Sequence, residues 1–166
     1  MSAASIDIRL VASTEEREWC AQLMATSEPW VTLRRDLDSC RHLFRDASRE
    51  TYLAEVDQAP VGFLILTLAG PFSGYIQSIC VAPNCRGAGI GSALLHFGEQ
   101  RIFRESPNVF LCVSSFNPRA RRLYERSGYQ FVGELSDYLV AGHAELLFRK
   151  SRGPWRDFVP TILPSP

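Results

Sequence analysis

Ile6, Ile8 and Leu10 alternate with Asp7 and Arg9, the period-two pattern of a strand with one covered face. Ser13 with Glu16 three residues later has the spacing of a capping box and predicts a helix through about Ala25, with Trp19 and Leu23 on one face. Pro29 biases Glu28 away from helical backbone and separates this helix from a second, which carries Leu33, Leu37, Cys40 and Phe44 at helical spacing. Two apolar runs, residues 51–56 and 61–68, flank "DQAP" and read as a hairpin. "YIQSICV", residues 75–81, is a further strand, and Ile90, Ala93, Leu94 and Phe97 mark a helical face lasting to about Arg104. "NVFLCVSS", residues 108–115, is almost continuously apolar, as expected of a strand covered on both faces. Asn117, Pro118 and Gly128 suit the N-cap, first position and C-terminal cap of a short helix. Two last strands are predicted at about residues 129–138 and 143–150.

The order β-α-α-β-β-β-α-β-α-β-β predicts a layered α/β sheet rather than a sandwich or a bundle. Residues 1–150 are expected to form a single domain. Residues 151–166, with four of the ten prolines, form an extended tail with Trp155 and Phe158 available to pack it.

Composition narrows the chemistry. Eighteen basic residues balance eighteen acidic ones in 166, so no whole-chain field favours nucleic acid or a membrane surface, and any ligand site must be local. The five cysteines (Cys20, Cys40, Cys80, Cys85, Cys112) have no metal-ligand spacing and read as free thiols, so no metal is expected. The N-terminus lacks a basic region followed by an apolar run, and no apolar run reaches membrane-spanning length, which together predict a cytoplasmic chain.

One turn carries chemistry. In "VAPNCRGAGIGSALL", residues 81–95, a strand passes through Arg86 and three alternating glycines into a helix. Free amides at a helix start attract anions, and glycine lets a phosphate approach the main chain. The P-loop is excluded because no lysine follows these glycines; the only lysine in the chain is Lys150. The dinucleotide fingerprint is excluded because Ser92 stands where its last glycine belongs.

"RGAGIG", Arg86 to Gly91, resembles the [QR]-x-x-G-x-[GA] motif of the GNAT superfamily, the Gcn5-related N-acetyltransferases. "NPRARRLYERSGY" is similar to the same family's second signature, with Asn117 and Tyr124 in the matching positions, and the element order agrees over about residues 6–150. The resemblance implies a mixed, mostly antiparallel sheet of six to seven strands with about four helices and splayed central strands. It implies acetyl-CoA as cosubstrate, with direct attack of a primary amine on the thioester. Main-chain groups at Cys80 and Val81 would hold the pantetheine, Arg86, Gly87, Ala88, Gly89, Ile90, Gly91 and Ser92 the pyrophosphate, and Asn117 the pantetheine arm. Tyr124 would contact the sulfur and protonate the leaving thiolate as general acid. Homodimers through the last strands are common in the family.

The base is left open. Residues 75–81 hold no carboxylate; by alternation Tyr75 and Gln77 occupy the face where relatives place a glutamate. Glu145, Glu28 and His143 are candidates, with a water relay as the other route. Glu28, Trp30, Tyr75, Gln77 and His143 are expected around the acceptor amine. The missing strand carboxylate also keeps open a catalytically degenerate module that binds acyl-CoA or regulates without turnover.

Overall fold

The computed structural model describes residues 5–161, so the first four residues and the last five of the tail lie outside it. Seven strands form one sheet: β1 (Ile6–Leu10), β2 (Glu50–Val56), β3 (Ala59–Thr67), β4 (Tyr75–Val81), β5 (Asn108–Ser114), β6 (Gln130–Ser136) and β7 (Ala144–Ser151). Their order is β1-β2-β3-β4-β5-β7-β6. β1/β2, β2/β3, β5/β7 and β6/β7 pair antiparallel. β4 and β5 pair in parallel through Tyr75↔Phe110 and Ile76↔Leu111, at the start of β4. Four α-helices complete the fold: α1 (Thr14–Ala25), α2 (Leu37–Arg45), α3 (Ile90–Ile102) and α4 (Pro118–Arg126). This is the α/β fold expected.

The chain forms two compact units, one of the residues up to Leu66 with Ser78–Phe97, the other of Thr67–Gln77 with the residues from Gly98. In the first, α1 opens on the predicted capping box: the Ser13 hydroxyl accepts from the Glu16 amide at 3.1 Å, and the Glu16 carboxylate accepts from Ser13 N. Cys20, Ala21, Met24, Leu43 and Phe44 bring both helices onto Leu53, Phe63 and Ile65 of the strands, with Phe44 edge-on to Phe63 at 5.1 Å. The second helix starts later than its spacing predicts. Arg34 takes φ +54° and the Asp36 carboxylate caps Ser39 N at 2.8 Å, so Leu33 lies in the turns before α2.

The β2–β3 hairpin turns at Asp57 and Gln58, both at positive φ, as a right-twisted two-residue connection requires. A bulge follows, where Ala54 pairs Gly62 but Glu55 pairs Pro60. It leaves the Val61 carbonyl to accept Ala82 N at 2.8 Å, which fixes the end of β4. In the second unit β5 is buried almost throughout, as its apolar run predicts. The tail beyond β7 is anchored here: Arg152 N donates to Pro107 O at 2.9 Å, Thr161 N to Arg104 O at 2.8 Å, and Trp155 packs on Phe158 at 5.7 Å.

Candidate active site

The glycine turn belongs to the first unit. After β4 a short 3₁₀ turn, Pro83–Cys85, leads to Arg86, and Gly87 and Gly89 take φ +86° and +83° before α3 begins at Ile90. Side chains rarely adopt this left-handed backbone, which explains Gly87 and Gly89 although a Cβ at either would meet nothing within 4 Å. Among the described residues, none of the amides from Gly87 to Ser92 makes a hydrogen bond. Six consecutive donors (Gly87, Ala88, Gly89, Ile90, Gly91, Ser92) are therefore open at a helix N-terminus. The Arg86 Nε donates to the Val81 carbonyl at 3.1 Å, so the guanidinium is tethered beside the turn while its terminal nitrogens make no hydrogen bond among the described residues. That bond also engages one of the main-chain groups expected to meet the pantetheine.

Cys80, one residue earlier, is buried, and burial pushes its thiol up to about 11. Cys20 rises to about 12 for the same reason. Neither is a thiolate at neutral pH, which fits direct transfer better than an acyl-cysteine route. In the α1–α2 loop, Glu28 is exposed and its Oε2 accepts from Thr32 N at 3.2 Å. Trp30 is buried, 6.2 Å from Phe63, and acts there as a core side chain.

The remaining candidates lie in the second unit. Asn117 caps α4, its Oδ1 accepting from Ala120 N at 3.2 Å, which leaves its amide nitrogen for a ligand. Tyr124 is buried on α4, and burial raises its phenol to about 12. It is thus protonated at neutral pH, as a donor to a thiolate of ordinary pKa near 8.5 must be. Tyr129 packs edge-on to it at 5.9 Å.

Glu145 is 6% exposed, and Ser114 Oγ donates to its Oε1 at 2.6 Å. Its Oε2 has no hydrogen-bond partner among the described residues and is not sealed from solvent. Burial raises this carboxyl above its ordinary range, against the lowering effect of Ser114. Tyr75 lies beside it: burial, then the neighbouring Cys112 and Glu145, raise its phenol strongly. The structure thus brings Tyr75 and Glu145 together with Cys112. Gln77 follows on the same half-buried face of β4, opposite the buried Ile76, Ser78 and Cys80. His143 does not share a strand face with Glu145 as expected. It precedes β7, where Gly142 turns at φ +84°, and packs edge-on to Phe116 at 4.7 Å.

Sequence reasoning missed two residue sets. Ser114 faces Glu145 across the β5/β7 ladder, a pairing visible only once the register is known. Glu99 is buried on α3, and its Oε2 accepts from Lys150 at 2.8 Å. Its Oε1 and the buried Tyr129 hydroxyl meet no well-formed hydrogen-bond geometry among the described residues, and burial, then the neighbouring Glu99, raises the Tyr129 phenol strongly. No group of three or more potential metal ligands occurs among the described residues. No helix among them is long and apolar enough to cross a membrane.

The family model described as Acetyltransferase (GNAT) family matches residues 12–129. An uncharacterised N-acetyltransferase of Methanocaldococcus jannaschii is 35% identical over 103 residues, which are 61% of this chain and 65% of that protein. The chain therefore spans less than two thirds of that relative's length. An aminoglycoside 6'-N-acetyltransferase complexed with coenzyme A superposes with TM-score 0.74 at 15% identity, over 89% of this chain and 98% of the other. Spermidine N-acetyltransferase from Vibrio cholerae, in complex with CoA and spermine, gives 0.70 at 17% identity over 89% and 95%.

Proposed function

The chain belongs to the GNAT acetyltransferase family, and from that premise we propose that it transfers acetyl from acetyl-CoA to a primary amine. One observation carries the coenzyme assignment: six unbonded amides, Gly87 to Ser92, open a helix beside the tethered Arg86. They are suited to a pyrophosphate. Asn117 contacts the pantetheine arm through its free amide nitrogen, and main-chain groups near Cys80 orient the thioester.

The acceptor nitrogen, as the neutral amine, attacks the thioester carbonyl carbon. A C–N bond forms, the C–S bond breaks, and the thiolate takes the Tyr124 proton. Glu145 receives the ammonium proton at Oε2, directly or through water, while Ser114 holds Oε1. A carboxylate with raised pKa and one free oxygen is a better base than an exposed one, which favours Glu145 over Glu28. It also supplies the carboxylate that β4 lacks, and so favours turnover over a module that only binds acyl-CoA. Tyr75 and Gln77 line the acceptor side. Exposed Phe131, Val132, Leu135, Tyr138 and Leu139 on and after edge strand β6 support a homodimer.

The test is release of free thiol from acetyl-CoA across a panel of amines, amino acids, peptides and antibiotics. Tyr124→Phe is expected to lower kcat by about 10²-fold or more with little change in coenzyme affinity. Arg86→Ala should instead weaken coenzyme binding. Full turnover by Tyr124→Phe refutes the acid, and binding without turnover of any acceptor restores the binding-only reading.

A further inference from the structure

The end of β1, the first turns of α1, the end of α2 and the start of β2 enclose a cleft of about 570 Å³. None of its lining residues belongs to the glycine turn. Its size is that of a small-molecule site, about 300–1,000 Å³. Arg17, Arg41, Arg45 and Arg49 line it together with Glu18, Asp46 and Glu50, over the buried Val11 and Phe44.

Formal charge in the cleft nearly cancels, but hydrogen-bonding capacity does not. Glu18 accepts from Arg41 through both oxygens, at 2.9 and 2.6 Å. Asp46 accepts from the Ser48 amide and hydroxyl through Oδ1 and forms an ion pair through Oδ2 with Arg49 Nε at 3.3 Å. Glu50 accepts from the Tyr52 hydroxyl at 2.6 Å. Every carboxylate is engaged. On the other side, Arg45 makes no hydrogen bond or ion pair among the described residues and only a longer-range electrostatic interaction with Glu18, and Arg17 makes one long bond to Ser13 O at 3.4 Å. Arg49 is ion-paired with Asp46, and its guanidinium makes no hydrogen bond among the described residues. Three guanidiniums therefore present unused charged donors to a cavity whose acids are already taken.

We propose that this cleft is a second anion site. It takes a compact polyanion, a phosphate ester or polycarboxylate, whose charges are bound by Arg17, Arg45 and Arg49. Val11 and Phe44 support its apolar part. Such a ligand ties α1 to α2, the two helices whose connecting loop carries Glu28 and Trp30, so its occupancy reaches that loop. Binding here does not depend on acetyl transfer.

The test is calorimetric titration of the full chain with pyrophosphate and, separately, with citrate, at matched ionic strength and with coenzyme A present in excess. One equivalent of anion should bind. Arg17→Gln and Arg45→Gln should each weaken it by about 10-fold, the scale of a lost charge-assisted bond, while Arg86→Gln leaves it in place. The pyrophosphate arm identifies a phosphate ester and the citrate arm a polycarboxylate. No saturable binding of either, or binding that both cleft variants leave unchanged, overturns the proposal. If coenzyme A itself fails to bind, the contrast between Arg86→Gln and the cleft variants still assigns the pyrophosphate. Amide shifts at Thr14, Ala47 and Thr51 in the unsubstituted protein decide the case should a variant fail to fold.

Discussion

Burial holds the Glu145 carboxyl above its ordinary range, with a single hydrogen bond from Ser114 to offset it. The folded chain therefore binds this proton more readily than the unfolded chain does. Between the unfolded and the raised folded pKa, stability falls as pH rises. Glu145→Gln keeps the oxygen that Ser114 bonds and removes the charge. Its melting temperature should accordingly overtake that of the parent as pH is raised to neutrality, read by thermal denaturation at several pH values. The same substitution should abolish the rising limb of kcat/KM against pH and cost about 10²-fold in rate. A stabilised variant with an unchanged pH–rate profile would leave Glu145 a buried acid without a part in proton transfer. Such a residue is hard to read in a sequence. Glu145 was one of three candidates for the base, and its partner stands 31 residues away.

Local chemistry, by contrast, was legible. The Ser13/Glu16 capping box and the Asn117 cap are both i to i+3 relations, set by helix geometry alone. Leu33 misled because helical spacing ignores a left-handed residue, here Arg34, one position later. The β2/β3 bulge was likewise invisible, and so was the close approach of β4 that explains Gly62. A Cβ at Gly62 would lie 2.6 Å from the Cys80 carbonyl oxygen and 3.3 Å from Leu94 Cδ1. Gly62→Ala should destabilise the chain by about 1–3 kcal/mol in urea denaturation. Gly133→Ala on β6, where a Cβ meets nothing within 4 Å, should change stability by no more than about 0.5 kcal/mol. Equal costs at the two sites would mean that the close approach of β3 and β4 does not constrain position 62.

At the scale of the whole molecule, the family and sheet class were readable because two motifs stand on the elements that the hydrophobic pattern predicts. The surface was not, since balanced charge leaves its apolar patches unmarked. β6 is an edge strand with Phe131, Val132 and Leu135 exposed, and a bulge sets Phe131 and Val132 side by side. An open edge of this kind, with apolar side chains exposed beside it, is a template for pairing with another strand. Sedimentation equilibrium should find a dimer, and Val132→Lys or Leu135→Lys should shift it to monomer with the fold intact. A monomer across the accessible concentration range removes the proposed homodimer.

The six amides from Gly87 to Ser92 have a kinetic counterpart. A backbone N–H without an acceptor has nothing to break before it exchanges with solvent. The unliganded turn thus sits at the fast end of the hydrogen-exchange scale even though α3 continues from it directly. Protection there arises only when an anion supplies the missing acceptors, so the turn reports its own occupancy amide by amide.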